Sequence, residues 1–288
     1  MAEPTTPAGD DAQRGGFAMR TLAGGFAPAA APVPAHTAIA TDAVGLRAGE
    51  VHIPVDGGAM PAYRAAPAAG GPFPVIVVAQ EIFGVHEYIR DVCRRLAKLG
   101  YLAVAPELYA RQGDPSTYTD IPTLYAAIVA RVPDAQVMAD IDRVVAWAAA
   151  SGGDTARLGI TGFCWGGRMT WLYAAHNPAV RAAVAWYGRL VGERTALAPA
   201  FPVDIAAGLQ VPVLGLYGGA DTSIPLDTVE RMQQALANNA GAGGSSQFVV
   251  YPDAPHAFHA DYRPGYRKEA AQDGWTRAIA WMRQFGVV

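Results

Sequence analysis

The chain has 288 residues, of which 51% are hydrophobic and 16% are charged, so a large apolar core in one domain, or at most two, is expected. Its formal charge is −3 and no block of basic residues could neutralise a phosphate backbone, which argues against nucleic acid as a partner. No apolar run reaches the roughly 18 residues of a membrane span, so no bilayer crossing is expected.

Residues 1–47 are rich in alanine, proline and glycine and have no helical or strand periodicity, so they are interpreted as an N-terminal extension. Arg14 and Arg20 precede a weakly apolar stretch, which is compatible with an export leader. Against a leader, Arg20 interrupts the apolar stretch and Arg14 is followed by glycine, so the twin-arginine signature is absent. Two interpretations stay open: an inert or disordered extension of a cytoplasmic protein, or the leader of an exported, periplasmic one.

Residues 48–288 alternate short apolar runs with amphipathic segments, as expected of one domain. A hairpin is predicted around Asp56-Gly57-Gly58. Further strands are predicted at 74–79, 101–105, 158–161, 182–187, 211–217 and 247–251, and helices at 86–99, 134–150, 167–176, 225–237 and 265–285. Near-continuous apolar strands that alternate with helices predict an α/β fold, a mostly parallel central sheet flanked by helices on both faces. In such sheets, ligands bind at the carboxyl ends of the strands.

One of these strand ends carries a cysteine between glycines. The sequence Gly162-Phe163-Cys164-Trp165-Gly166-Gly167 joins a predicted strand to a predicted helix, the pattern of a nucleophile elbow with cysteine where serine is more usual. The glycines leave room for a strained turn, and the amides of a helix N-terminus would stabilise a thiolate. The alternative is a cysteine that is merely buried in a glycine-rich turn.

Two further strand ends carry the partners that a nucleophile needs. Asp221 follows the predicted strand at 211–217, and His256 follows the strand at 247–251. The chain order of nucleophile, acid and histidine is that of an α/β-hydrolase triad, in which the histidine transfers protons and the aspartate orients it. Asp227 and Asp253 are rival acids, but neither stands at a strand exit as Asp221 does.

A carboxylate also follows the first strong strand. Glu81 comes directly after the run at 74–79 and precedes the apolar residues Ile82 and Phe83. Burial would raise the pKa of such a carboxyl group unless it is paired, so a functional role is predicted. The amides of Ile82 and Trp165 are the candidate donors to a developing oxyanion.

Five motifs, in this order along the chain, resemble the dienelactone hydrolase family of carboxymethylenebutenolidase-like α/β-hydrolases: Gln80–Gly84, Ala105–Arg111, Gly162–Gly167, Gly218–Asp221 and Pro255–Phe258. The resemblance extends from Gly49 to the end of the chain. It implies the α/β-hydrolase fold and a triad of Cys164, Asp221 and His256. It also implies an oxyanion hole made by the amides of Ile82 and Trp165.

The resemblance assigns further roles around the triad. Glu81 would pair with the thiol in the resting enzyme and help to generate the thiolate when substrate binds, and Arg111 would bind a substrate carboxylate. His259 stands where the family prototype has a second carboxylate-binding arginine, so specificity for the dienelactone stays open. It is interpreted as a residue at the rim of the pocket or directly behind its lining. Phe83 and Tyr109 belong to a group of aromatic residues near strand ends, from which we expect part of the substrate pocket.

Neither a cofactor nor a metal is expected. His256, His259 and Asp261 imitate a metal cluster, but the triad explains His256 better. Cys93 lies on the apolar face of a predicted helix and is predicted to be a core residue. Residues 112–132 are long enough to cover the site.

These features predict a metal-free cysteine hydrolase that acts on a small lactone or ester through a thioacyl-enzyme at Cys164. Two alternatives stay open. One is a weakly catalytic protein that binds a small carboxylate on the same fold, and the other is an acyltransferase, which would share the acyl-enzyme. The oligomeric state and the physiological substrate are not predicted by the sequence.

Overall fold

The computed structural model describes residues 16–288, and its organising element is an eight-stranded sheet. The strands are β1 (Leu46–Val55), β2 (Gly58–Pro67), β3 (Phe73–Ala79), β4 (Leu102–Pro106), β5 (Gly153–Phe163), β6 (Val180–Trp186), β7 (Val213–Gly218) and β8 (Gln247–Tyr251). Their order in the sheet is β1-β2-β4-β3-β5-β6-β7-β8. Strand β2 is antiparallel to β1 and to β4, and all other neighbours are parallel. The mostly parallel sheet is therefore confirmed.

Seven α-helices of the described chain pack around this sheet. They are α1 (Glu87–Lys98), α2 (Ile121–Ala127), α3 (Asp134–Ala150), α4 (Trp165–His176), α5 (Pro202–Ile205), α6 (Leu226–Ala237) and α7 (Lys268–Gln284). Every residue of β3 and of β4 is buried, so both faces of the central strands are covered, as their apolar runs predicted. Within residues 16–288, none of the helices has the length and apolar character that spanning a bilayer requires.

The observed element boundaries differ from the predicted ones where local sequence is weak. Helix α3 has the predicted bounds, whereas α4 begins at Trp165, two residues earlier than predicted, because two glycines follow that residue and weaken the local helix signal. The short helices α2 and α5 were not predicted. Cys93 lies fully buried in α1, as predicted, and burial raises the pKa of its thiol.

The parallel strands place the predicted site residues at one edge of the sheet. Strands β3, β5, β7 and β8 all run in the same direction, so their carboxyl ends lie on the same side. Glu81 follows β3, Cys164 follows β5, Asp221 follows β7 and His256 follows β8. The topology thus gathers four residues that are far apart in sequence.

Residues 16–45, here called the N-terminal segment, lie on the surface of the domain. Ala27, Ala29 and Ala30 are buried within the core, and the ring of Phe26 stacks on Tyr262 with 5.1 Å between centroids. The amide of Glu87 donates to the carbonyl of residue 25 at 2.9 Å. The segment is therefore packed against the folded chain over much of its length.

Polar contacts hold the same segment to α1 and to the loop after β4. The Arg20 guanidinium donates to the carbonyl oxygens of Ala110 and Gly113 at 2.9 and 2.8 Å, and the amide of Thr41 donates to Asp91 at 2.5 Å. The predicted division at residue 47 falls inside β1. That division is a change in composition and not a boundary in the fold, which corrects the interpretation of residues 16–47 as an extension apart from the domain. Residues 1–15, including Arg14, lie outside the described residues.

Candidate active site

Cys164 occupies the turn between β5 and α4. Its φ of 56° lies in the left-handed region, which is rare for a residue other than glycine, and it is the N-cap of α4. Its amide donates to the carbonyl of Trp186 at 3.0 Å, which ties the turn to the end of β6. The side chain is partly exposed. The residue directly precedes the first turn of α4, whose free amides form the positive end of the helix dipole.

Two glycines make the turn sterically feasible. A Cβ at Gly162 would lie 2.3 Å from the carbonyl oxygen of Gly166, and a Cβ at Gly166 would lie 2.3 Å from that of Ala79. Both distances are far below van der Waals contact, so no larger residue fits at either position without movement of the backbone. The spacing of glycines that identified the elbow in the sequence therefore has a direct steric cause.

Asp221 and His256 are in direct contact. Asp221 Oδ2 lies 2.7 Å from His256 Nδ1, and Oδ1 accepts hydrogen bonds from the amides of Ser223 and Ile224 at 2.8 and 3.2 Å. The carboxylate is 5% exposed, so these contacts replace its hydration. Three donors fix its orientation, and the carboxylate in turn fixes the imidazole.

The imidazole of His256 also lies close to Cys164. Burial by itself would lower the pKa of His256, but the negative charge of the Cys164 sulfur and the hydrogen bond to Asp221 outweigh it and raise the pKa to about 10. The rival acids Asp227 and Asp253 are both exposed. Of the three predicted acids, Asp221 is the one that the structure brings to the histidine.

A cavity of about 510 Å³ opens beside these residues. Most of its exposed lining is apolar, but charged side chains also border it: Asp134, Arg168, Arg189 and Glu193. Cys164, His256, Ile82, Trp165 and Tyr187 border it. Five residues of the segment that contains α2 also line it: Ile121, Tyr125, Val129, Ala130 and Val132. The segment that the sequence suggested as a cover for the site thus supplies one wall.

The two predicted oxyanion donors both border the cavity. Trp165 is the first residue of α4, and first-turn amides have no acceptor within their own helix. Ile82 follows Glu81 directly after β3. The structure therefore brings both residues to the edge of the cavity that Cys164 occupies.

Glu81 has partners other than the thiol. It is 2% exposed, its Oε2 accepts a hydrogen bond from the Tyr262 hydroxyl at 2.8 Å, and the same oxygen lies 3.0 Å from His86 Nε2. Among the described residues it makes no hydrogen bond with Cys164. The expected resting pair of Glu81 with the thiol is corrected accordingly, because hydroxyl and imidazole donors are stronger partners for a carboxylate than a thiol is.

Arg111 does not reach the cavity. Its Nη1 donates to Asp140 at 2.6 Å, and Nε and Nη2 donate to the carbonyl oxygen of Asp56 at 3.1 and 2.9 Å. The Cζ atom of its guanidinium lies 5.3 Å from the centre of the ring of Phe17, in the N-terminal segment. The expectation that Arg111 binds a substrate carboxylate is corrected, since α3 and the β1–β2 turn use its donors.

The other three predicted substrate-contact residues are also displaced from the cavity. Phe83 is 5% exposed and lines a separate cavity, and Tyr109 is fully buried against the ring of Trp165 at 4.9 Å. His259 is 3% exposed, its Nδ1 lies 2.6 Å from the Tyr88 hydroxyl, and burial holds its pKa well below the usual range. These side chains support the site from behind and do not line it.

The structure adds two arginines that sequence reasoning missed. Arg189 is exposed at the cavity, and within residues 16–288 its guanidinium has neither a hydrogen bond nor an ion pair. Arg168, in α4, is buried and makes a bidentate pair with Asp134 at 2.7 and 2.6 Å. Arg189 follows β6, so the strand-exit rule that identified the triad could also have identified it.

The sheet order, the turn after β5 and the residues gathered at the strand exits define a protein of the α/β-hydrolase fold. The chain belongs to the dienelactone hydrolase family, whose model matches residues 60–286. The ester or lactone hydrolase predicted from the sequence is thereby confirmed at the level of the family. The cysteine triad and the thioacyl route are treated below.

Relatives cover nearly the whole domain. Proteins named "Putative carboxymethylenebutenolidase" are 67% identical over 268 residues in Methylorubrum extorquens, covering 93% of this chain and 91% of the relative, and 60% identical over 263 residues in Salmonella typhimurium, covering 91% and 96%. The crystal structure of a "Putative Dienelactone Hydrolase" from Klebsiella pneumoniae is similar, with a TM-score of 0.81 and 62% identity over 83% of this chain and 99% of that chain.

Proposed function

We propose that the protein hydrolyses lactones or small esters through a thioacyl-enzyme on Cys164. The observation that carries this proposal is the position of Cys164: it is the N-cap residue of α4 in a left-handed turn, it borders the cavity, and its charge raises the pKa of His256, whose Nδ1 lies 2.7 Å from Asp221 Oδ2. Nucleophile, proton carrier and orienting carboxylate are thus assembled at one opening. No metal or cofactor is part of the proposal.

The first step is acylation. The Cys164 thiolate attacks the carbonyl carbon, and the amides of Ile82 and Trp165 donate to the oxyanion that develops. The carbon–oxygen bond of the lactone then breaks, and the leaving oxygen takes a proton from the His256 imidazolium. Because the pKa of His256 is raised to about 10, the imidazolium is abundant at neutral pH. A thioester on Cys164 and a neutral imidazole result.

The second step is hydrolysis of the thioester. His256 takes a proton from water as the water oxygen attacks the carbonyl carbon, and the carbon–sulfur bond breaks to release the acid and the thiolate. The Asp221 carboxylate stabilises the imidazolium that forms again. Thiolate and imidazolium are regenerated together, so the resting charges of the site are restored.

The test uses an activated aryl ester and a small enol lactone with wild-type protein and a Cys164→Ala variant. We expect a burst of product in the wild type, a thioester of the acyl mass on the peptide with Cys164, and a loss of turnover of roughly 10³-fold or more in the variant. Cys93→Ala is the matched control and should keep its turnover. Equal turnover in Cys164→Ala would refute the proposal, and transfer of the acyl group to an added alcohol would identify an acyltransferase.

Within this function, we propose that Arg189 takes the role that the sequence suggested for Arg111, contacting a carboxylate of the substrate. Support comes from its exposed guanidinium at the cavity. An Arg189→Met variant should raise KM for a carboxylate-bearing lactone by about 10- to 100-fold, the worth of a hydrogen bond to a charged group, and leave KM for a neutral ester nearly unchanged. If KM rises equally for both substrates, Arg189 does not contact a substrate carboxylate.

A further inference from the structure

The cavity that Cys164 borders, here called the main cavity, has an exposed apolar lining on one side. Of the large hydrophobic side chains that are exposed within residues 16–288, three line this cavity: Ile121 and Tyr125 in α2, and Leu197 in the loop between β6 and α5. They are 37%, 46% and 38% exposed and are here called the apolar rim. Single exposed apolar side chains are ordinary, but a group of them at one cavity marks a surface that binds something.

The sequence of α2 extends its apolar surface beyond the part that the core covers. Leu124 is fully buried in the core, whereas Ile121 and Tyr125, four residues apart and therefore adjacent on the helix surface, stay exposed. The carboxylate of Asp120 accepts a hydrogen bond from the amide of Thr123 at 2.9 Å and so fixes the start of the helix. The buried side chain attaches α2 to the domain, and the exposed part of its apolar surface is available to a ligand.

Hydrogen bonds fix the two walls of the apolar rim relative to Cys164. The amide of Asp134, the first residue of α3, donates to the carbonyl oxygen of Leu197 at 2.8 Å. Arg168, in the helix that follows Cys164, donates to the Asp134 carboxylate at 2.7 and 2.6 Å and to the carbonyl oxygen of Ala200 at 2.8 Å. The rim and the proposed nucleophile are thus joined through α4, so a ligand can bind the rim without first ordering a loop.

The main cavity is larger than a small lactone requires. A lactone ring with its carbonyl oxygen and one substituent, roughly seven non-hydrogen atoms, fills less than half of about 510 Å³ at about 30 Å³ for each water-sized group. The rim lines the same cavity as Cys164 and His256. A substrate whose carbonyl group lies at Cys164 therefore has room to extend towards the rim.

We propose that the apolar rim binds an apolar arm of the substrate, an aliphatic chain or an aromatic ring, while the ester or lactone carbonyl lies at Cys164. The inference rests on the proposed function of Cys164 and extends it, because it names the class of substrate. Continuity favours this occupant, since one cavity joins the rim to the nucleophile. The preferred substrate is therefore larger and more apolar than an acetate ester.

The first experiment measures kcat/KM of the wild-type protein for two series of esters. In one series, activated aryl esters carry straight acyl chains from acetate to octanoate, and in the other the acyl group stays acetate while the alcohol chain lengthens. We expect kcat/KM to rise about twofold to fourfold for each methylene group that reaches the rim, which corresponds to half or full burial of that group. A rise in the first series assigns the arm to the acyl group, and a rise in the second assigns it to the leaving group. No rise in either series overturns the proposal.

The second experiment makes both walls of the rim polar in a double variant, Ile121→Ser with Leu197→Ser. Its loss of kcat/KM relative to the wild type should grow with chain length and reach roughly tenfold for the longest chain, the worth of two or three methylene groups. A double variant that keeps the wild-type dependence on chain length overturns the proposal.

The matched control is Leu99→Ser with Leu226→Ser, which should follow the wild type at every chain length. These leucines are 42% and 40% exposed, and neither lines the main cavity. Leu226 is the first residue of α6, as Ile121 is of α2. Thermal unfolding of both double variants identifies loss of the fold.

A second copy of the chain is the other occupant that an apolar rim could have. Sedimentation of the wild type and of the rim variant at assay concentrations distinguishes it from a substrate. A wild-type dimer that becomes a monomer in the rim variant overturns the proposal, and the same oligomeric state in both supports it.

Methyl NMR of the wild-type protein needs neither turnover nor a variant, so it decides the matter even if the rim variant does not fold. Octanoate, the acid that the longest ester would release, should shift the methyl signals of Ile121 and Leu197, whereas propanoate should not. The methyl signals of Leu99 and Leu226 should stay in place. Octanoate that leaves the rim signals unchanged overturns the proposal. Failure of the proposed function is recognised separately, as undiminished ester turnover in Cys164→Ala.

Discussion

The Asp221→Asn variant gives a sharp test of the proposed triad, because the structure dictates how the new side chain must sit. Two backbone amides, those of Ser223 and Ile224, donate to Oδ1, so the asparagine oxygen has to stay there and its NH₂ group has to face His256 Nδ1. Nδ1 would then become an acceptor and Nε2 would hold the proton, a tautomer that cannot take the thiol proton at Nε2 to form the thiolate–imidazolium pair from which acylation starts.

The expected loss in the acylation rate is about 10³- to 10⁴-fold, which corresponds to about 4–5.5 kcal/mol at 1.36 kcal/mol for each factor of ten. The pKa of His256 should also fall, since the hydrogen bond to Asp221 is one of the interactions that raise it. Both effects have the same origin, the loss of the carboxylate that orients and stabilises the imidazolium.

The assay is a stopped-flow burst with an activated aryl ester, accompanied by thermal unfolding of each variant. Asp227→Asn is the matched control, because Asp227 is exposed in α6 and should keep the wild-type rate. A burst rate for Asp221→Asn within about threefold of the wild type, with the fold intact, would refute the tautomer argument. If the burst rate falls equally in both variants, the cause is the loss of a negative charge at this end of the sheet and not the orientation of His256.

Three further variants test other parts of the structure. Cys164→Ser removes the sulfur anion beside His256, so an NMR titration should find the pKa of the histidine about one to three pH units lower, and an unchanged value would contradict a thiolate in the resting site. Arg168→Met leaves its buried carboxylate partner unpaired and should lower the free energy of unfolding by about 3–5 kcal/mol, whereas Arg194→Met, in an exposed pair, should cost at most about 1 kcal/mol. If a denaturant titration finds the same loss of unfolding free energy in both variants, burial does not determine the cost of removing the arginine. Gly166→Ala forces a Cβ to 2.3 Å from a backbone oxygen and should cost about 1–3 kcal/mol, so a wild-type melting temperature would mean that the turn relaxes.

The fold and the strand-exit residues could be predicted because their signals are local. The run of apolar residues in β3 is buried throughout, and the glycine spacing around Cys164 follows from backbone contacts that no larger side chain permits. Parallel strands then place Asp221 and His256 at the same edge, whatever their separation along the chain. Local pattern and topology together fixed the position of each backbone, and this was sufficient for the candidate triad.

The substrate contacts could not be predicted in the same way, because the partners of a side chain come from elements that are distant in sequence. Arg111 stands in a motif of the family, yet Asp140 of α3 takes its guanidinium away from the cavity. His259 lies three residues after His256, but its ring is buried beside Tyr88. Motif position fixes where the backbone runs, and the direction of a long or aromatic side chain depends on elements that the motif does not contain.

The packing of the N-terminal segment could not be predicted from its composition either. Alanine, proline and glycine give no periodic signal, yet Ala29 and Ala30 are buried because their small side chains let a single 3₁₀ turn, Pro28–Ala30, approach the domain closely. The ring of Phe26 then packs against Tyr262 and His86, the two residues that hold Glu81. A segment without any motif of its own therefore packs against the partners of Glu81, a contact that a search for catalytic motifs would leave out.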